Sequence, residues 1–306
     1  MPELPEVETV RRGLLPIVGQ VVTAVTVHRP DVIEGDRSPA ALLLHHRVTT
    51  IDRRGKELSL VAAATTSHAG SCPQDPDSAA PRCLNLHLGM TGQLLLQPPT
   101  PRASRRKPGT PLPHTHVTWS FSDGSALHFR DPRRFGGVFP LPTLAARDQR
   151  WRPRGPDALG ITALQLHQRL RASRRPLKNA LLDQHVLAGL GNIYTDELLF
   201  RCRLHPLRSA HTLRPADIDA LVAHMRDLLA AAIAAGGSTL GDAAYTGASG
   251  EAGAFQLTHH VYARAGERCH TCGATLRGLR LLNRATVYCP TCQPRRRRII
   301  TKRRTD

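Results

Sequence analysis

Four of the chain's seven cysteines stand as two Cys-x-x-Cys pairs, Cys269-His270-Thr271-Cys272 and Cys289-Pro290-Thr291-Cys292, with 16 residues between them. That is the spacing of a four-thiolate zinc site on a β-hairpin. A redox dithiol is the alternative, but two pairs at this spacing favour metal. Four thiolates complete the tetrahedron and leave no open position for chemistry, so Cys269, Cys272, Cys289 and Cys292 are expected to hold one structural Zn2+. Cys72, Cys83 and Cys202 read as ordinary thiols. The Pro- and Glu-rich start lacks the basic segment and apolar core of a signal peptide, and no run of about 18 apolar residues could span a membrane. A cytoplasmic protein is expected, and there cysteines serve metals or remain free thiols more often than they form disulfides.

Charge narrows the partner. Lys and Arg number 42 against 24 acids, a net charge of +18. Such an excess selects a polyanion, either nucleic acid or an anionic membrane surface. No amphipathic anchor or lipidation signal supports the membrane.

The 306 residues suffice for two domains. From about 20 to 140 the chain reads as strands: residues 20–27, 56–61, and a hairpin of 117–121 and 125–129 around Ser122-Asp123-Gly124. Polar stretches at 65–82 and 98–113 read as loops. The second carries Arg102, Arg105, Arg106 and Lys107, and a solvated insertion is favoured over a DNA contact. Beyond 150, helix-like spacing covers 161–172, 177–184, 193–202 and 216–235, with Pro215 before the last and Gly236-Gly237 after it. The expected architecture is α+β.

The first ten residues, Met1-Pro2-Glu3-Leu4-Pro5-Glu6-Val7-Glu8-Thr9-Val10, can carry chemistry. Removal of Met1 would leave Pro2 with a secondary amine. An α-amino group titrates near about 7.7–8.0, so part of it is neutral at pH 7 and can attack a carbonyl-type carbon to form a Schiff base. Glu3 would be the adjacent acid/base, and Pro5, Glu6 and Glu8 begin a helix. The plainer alternative is an ordinary frayed terminus.

Taken together, Met1 to Gly13 resemble the N-terminus of the formamidopyrimidine-DNA glycosylase family, and the likeness recurs along most of the chain. Arg53-Arg54-Gly55-Lys56-Glu57-Leu58 resembles the family segment that brings a catalytic Lys into the active site, which implies Lys56; a surface Lys is the alternative. Asn85-Leu86-His87-Leu88-Gly89-Met90-Thr91-Gly92 resembles the loop whose Met enters the duplex, and His87 is carried with it as a DNA contact. Asp131-Pro132-Arg133-Arg134-Phe135-Gly136 resembles the loop whose first Arg faces the orphaned base and whose Phe wedges between base pairs. Apolar wedges and a donor would compensate the stacking lost when a base is turned out. The alternative places Met90 and Phe135 in the core. His114 matches a DNA-contacting His.

In the second half, Pro176 to Gln184 followed by Val186 to Tyr194 is similar to the family's helix-two-turn-helix. That likeness implies Lys178 and Asn192 as phosphate ligands, the latter at a helix N-terminus. Ser173 stands where the family often has a DNA-contacting Lys. Arg284 matches the finger residue applied to the phosphates flanking the lesion and to the second elimination. The segment 238–255 resembles the loop that closes over an everted purine, and here it is rich in Gly and Ala. An Arg-rich tail follows Cys292, where family members commonly stop.

The resemblance implies a β-sandwich catalytic domain with a leading helix over 1–140, a linker over 141–157, a helical DNA-binding domain over 158–260, a zinc finger over 261–293 and a basic tail over 294–306. It implies a monomer that binds damaged double-stranded DNA, excises oxidised purines through a Schiff base on Pro2 and cuts the strand by β,δ-elimination. Glu3 would manage protons on the sugar, Lys56 and Arg284 would assist phosphate departure, and Glu6 would orient the lesion or the chemistry. No organic cofactor is expected. The rival readings are an endonuclease VIII-like enzyme for oxidised pyrimidines and a noncatalytic zinc-finger DNA-binding protein.

Overall fold

The computed structural model describes residues 2–65, 80–99, 112–240 and 245–295. Most of the two polar insertions, Cys72, residues 241–244 of the Gly- and Ala-rich segment and the tail beyond Arg295 lie outside the described residues. The chain divides into two compact units, Met1–Asp157 with Leu229–Leu257, and Ala158–Leu228 with Thr258–Asp306. Residues 229–257, expected with the helical domain, thus cluster with the first unit.

The first unit opens with α1 (Leu4–Gly13). Glu3 is its N-cap, Glu6 reaches back to the Glu3 N–H at 2.8 Å, and Arg11 and Arg12 occupy the last turn, where the helix dipole favours cations. Leu4, Val7 and Val10 bury one face, and Val7 and Val10 pack with Leu14 and Ile17.

Eight strands follow: β1 (Val22–Val27), β2 (His46–Arg54), β3 (Glu57–Ala64), β4 (Arg82–His87), β5 (Gln93–Gln97), β6 (Thr115–Phe121), β7 (Ala126–Arg130) and β8 (Gly137–Leu141). They form two antiparallel four-stranded sheets, ordered β1-β6-β7-β5 and β2-β3-β4-β8. Alternation sends Val117, Trp119 and Phe121 of one sheet and Leu58, Leu60, Leu84 and Leu86 of the other into a shared core. The expected sandwich is present, and Lys56 is in the turn before β3 rather than at its first position. The expected linker contains a helix, α2 (Leu144–Trp151), capped by Thr143. It was hidden by its Arg content, because Arg147 and Arg150 lay their guanidiniums over Trp151 and Phe139.

The second unit is helical: α3 (Ala163–Arg171), α4 (Leu177–Leu182), α5 (Asn192–Arg201) and the first part of α6 (Pro215–Ala234), within which the chain passes to the first unit. From Ile193 to Phe200 every residue of α5 is buried. The unit ends in a two-stranded hairpin of β9 (Arg277–Leu281) and β10 (Arg284–Tyr288). No described helix is long and apolar enough to cross a membrane.

Candidate active site and nucleic-acid interface

In the first unit, Pro2 and Glu3 are buried at the head of α1. Glu6 is also buried, and its two oxygens are taken by the N–H groups of Glu3 and Ser238, each at 2.8 Å. Its carboxylate therefore ties the segment after α6 to the residue that follows Pro2. Gly237 makes this approach possible, since a Cβ there would stand 2.8 Å from Glu6 Oε1. The Tyr245 hydroxyl donates to the carbonyls of Gly236 at 3.0 Å and Glu6 at 3.3 Å. The described part of the 238–255 segment is thus bound to α1, with Glu6 holding the backbone of Glu3, the residue after Pro2.

Lys56 is half-buried in the two-residue turn between β2 and β3. Gly55 precedes it at φ +57°, the left-handed conformation that a tight hairpin requires at this position. Asp157 accepts the Gly55 N–H at 2.8 Å and two bonds from Arg53 at 2.6 and 3.1 Å. Arg53 also donates to the Gly55 carbonyl and, through Nε, to Glu8 of α1. The turn is therefore pinned from both sides. Beside it, Glu57 pairs in register with His87. Burial, opposed by the Glu57 carboxylate and assisted by the Lys56 charge, holds the His87 imidazole below its ordinary value. Neutral His87 can then accept the Gly89 N–H on Nδ1 at 3.2 Å.

Met90 and Phe135 are not core residues: they are 37% and 56% exposed. Their loops interlock. Gly89, at φ +57°, lies so close to the Phe135–Gly136 peptide that a Cβ would fall 2.3–2.5 Å from its atoms. Asp131, fully buried, organises the second loop by accepting the N–H groups of Arg133 at 3.2 Å and Gly136 at 2.7 Å, and the Thr91 hydroxyl of the first loop. The Arg133 guanidinium lies 4.7 Å from the Phe135 ring centroid. The two loops thus present an apolar tip, an aromatic ring and a cation from one rigid base. His114 is exposed and is joined to this assembly through its carbonyl, which accepts the Asp131 N–H at 3.1 Å.

In the second unit, Gly191 is the N-cap of α5 and supplies no side-chain cap. Asn192 directs Nδ2 to the Ala285 carbonyl at 2.9 Å and keeps a second N–H. The phosphate role expected of Lys178 does not hold. Its side chain has 0% exposure, and Nζ bonds Asp196 at 2.7 Å and the Ala285 carbonyl at 3.1 Å. Burial raises the Asp196 carboxyl to about 6, against the opposing pull of Lys178 and the Val287 N–H. Ser173 is mostly buried, and its hydroxyl accepts from Arg175 at 3.2 Å, which makes it a poor candidate for a phosphate contact.

Arg284 is exposed beside the hairpin turn formed by Leu282 and Asn283, both at positive φ. Behind it, the four cysteine sulfurs all lie within 4.8 Å of one another. Zn–S bonds of about 2.3 Å would set tetrahedral sulfurs roughly 3.8 Å apart, so this set fits one structural zinc ion. Zinc supplies no catalytic position here; it ties the hairpin's two ends together. Glu197, buried on α5, accepts three successive backbone N–H groups, from His260, Val261 and Tyr262 at 2.9–3.0 Å, and so seats the segment leading into the finger. Cys202 and Cys83 behave as ordinary thiols, and burial pushes their titration up, to about 12 for Cys202.

Sequence reasoning missed Asp157, Asp131, Asp196 and Glu197. Each acts through a partner that local spacing does not reveal, as when Asp157 accepts an N–H 102 residues away. A carboxylate set among apolar residues, as in Asp196-Glu197-Leu198-Leu199, was the one available signal.

Residues 1–138 match the model of the formamidopyrimidine-DNA glycosylase N-terminal domain, residues 154–244 that of the formamidopyrimidine-DNA glycosylase H2TH domain, and residues 266–295 a zinc finger found in FPG and IleRS. The formamidopyrimidine-DNA glycosylase of Mycobacterium ulcerans is 39% identical over 318 residues, covering 97% of this chain and 100% of that protein. That of Corynebacterium aurimucosum is 39% identical over 297 residues, covering 96% and 97%. Among solved structures, the MutM (Fpg) protein of Thermus thermophilus aligns with a TM-score of 0.78 at 37% identity, covering 95% of this chain and 98% of that one. Lactococcus lactis Fpg, solved with abasic-site DNA, aligns at 0.77 and 31% identity, covering 96% and 100%.

Proposed function

This chain belongs to the formamidopyrimidine-DNA glycosylase family, and from that premise we propose that it removes oxidised purines from duplex DNA and cuts the strand through a Schiff base on Pro2. The glycosylase activity on oxidised purines follows from its relatives, and abasic-site lyase activity is typical of the family. The assignment of residues to steps is our own reading. The observation that carries it is the clamp at the N-terminus, where Glu6 holds the Glu3 N–H and so fixes the position of Pro2.

In this reading, loss of Met1 frees the Pro2 nitrogen, which attacks C1′ of the damaged nucleotide as the glycosidic bond breaks and the base departs. Glu3 then delivers a proton to the sugar's O4′ as the C1′–O4′ bond breaks, which opens the ring and leaves an iminium between the Pro2 nitrogen and C1′. The resulting iminium draws electrons from C2′, so a proton leaves C2′ and the 3′ phosphate departs. A second proton loss then expels the 5′ phosphate and leaves a one-nucleotide gap. Lys56 assists one phosphate and Arg284 the other. Met90, Phe135 and Arg133 occupy the space of the extruded base, while Asn192 holds backbone phosphate. Glu6 is a positioning residue in this scheme. Lys178 has no direct DNA contact.

The test is base release from duplexes carrying 8-oxoguanine opposite cytosine, against duplexes carrying an oxidised pyrimidine. Faster release of 8-oxoguanine is expected. Preference for the pyrimidine would move the enzyme to the endonuclease VIII-like reading, and binding without release would make it a DNA-binding protein only.

A further inference from the structure

The Arg284 side chain makes no hydrogen bond or ion pair with any described residue. Its position therefore rests on its backbone. The next carbonyl, Ala285 O, receives Lys178 Nζ at 3.1 Å and Asn192 Nδ2 at 2.9 Å. Two residues further on, the Val287 N–H donates to Asp196 Oδ2 at 3.1 Å, while the other oxygen of Asp196 holds Lys178 at 2.7 Å. Lys178 belongs to α4 and Asp196 to α5, so one ion pair joins both helices to the finger strand that bears Arg284.

We propose that the buried Lys178–Asp196 pair is a positioning device that sets Arg284 for the second elimination. This rests on the role given above to Arg284. An ion pair this deeply buried is poor evidence of stabilisation, because well-packed apolar residues at such sites often serve stability as well or better. What an apolar pair would lose is the outward bonding to Ala285 O and Val287 N–H. Those bonds are directional, and both end on the finger strand.

The discriminating variant replaces the pair together, Lys178→Met with Asp196→Leu, which leaves no unpaired buried charge. Its zinc content and melting temperature should stay near wild type. On an abasic duplex, borohydride-trapped adduct should form at a rate within about threefold of wild type, while the ratio of δ- to β-elimination product falls roughly tenfold. Adding Arg284→Ala should lower the ratio no further than Arg284→Ala alone, since the pair acts through that residue. Asp196→Asn keeps the shape and one acceptor, and provides the second variant should the double replacement not fold; it should shift the ratio the same way by a smaller factor.

An unchanged product ratio in a folded double variant overturns the proposal, as does a loss that simply adds to that of Arg284→Ala. An unchanged ratio in Asp196→Asn overturns it if the double variant is unfolded. Absence of adduct in the wild-type enzyme would count against the functional reading instead. Amide exchange at Val287 would still read the anchor, with faster exchange expected in either variant and equal exchange contradicting it.

Discussion

Arg53 joins Asp157 to Glu8: its guanidinium takes both oxygens of Asp157 at 2.6 and 3.1 Å, and its Nε takes Glu8 at 3.0 Å. The strand that ends in the Lys56 turn is thereby fastened to the helix that begins beside Pro2. Asp157→Asn weakens two charge-assisted bonds, a cost of about 2 kcal/mol. It also loosens the turn, and small displacements of a catalytic group are expensive in rate. We expect strand cutting to fall roughly tenfold with a modest drop in melting temperature. Single-turnover kinetics with thermal melts checks this; wild-type cutting in the variant would remove Asp157 from the account.

Glu8 gives a pH dependence. Burial pushes its carboxyl up, but hydrogen bonds from Arg11, Arg12 and Arg53 outweigh this and bring it down to about 2 from an ordinary 4.5. A depressed carboxyl contributes stability that is complete above its unfolded value and is lost as pH falls through its folded value. The window therefore runs from about pH 4.5 down to about 2. Because Arg12 is largely exposed, the contribution is discounted to about 2 kcal/mol. In Glu8→Gln, urea melts between pH 5 and 2.5 should lose this part of the slope.

Much of this was legible in the sequence. The cysteine spacing located the metal set, period-two patterning located the sandwich, and the Gly-containing loops around Met90 and Phe135 argued against core positions. Lys178 misled because motif position says nothing of burial: its partner Asp196 is 18 residues away and Ala285 is 107 away, so only the fold reveals that the ammonium is spent internally. The helix Leu144–Trp151 was concealed for a related reason, since its arginines cover aromatic rings and read in one dimension as a solvated linker.

Gly89 tests whether the two wedge loops act as one body. Gly89→Ala must hold a side chain at φ +57° and place it 2.3–2.5 Å from the Phe135–Gly136 peptide. Strain and displacement together should cost about 3 kcal/mol. Excision from a lesion duplex should fall much further than cutting of an abasic duplex, where no base needs to be held out. Equal losses on both substrates would show that the loops do not act in extrusion.

Zinc should be structural. Cys289→Ser, or removal of metal by a strong chelator, is expected to take bound zinc from one equivalent towards none and to unfold the finger. Lesion cutting should be lost while the far-UV signal of the sandwich remains. Full activity in metal-free protein would contradict a shape-holding role for the four cysteines.

The most direct test of the whole account is borohydride trapping of the mature protein on a duplex containing 8-oxoguanine opposite cytosine, with the N-terminal residue identified by mass. The account predicts a protein–DNA adduct whose attachment point maps to the Pro2 nitrogen and which is strongly reduced in Pro2→Gly. An adduct that forms unchanged in Pro2→Gly, or that maps to Lys56, would contradict it.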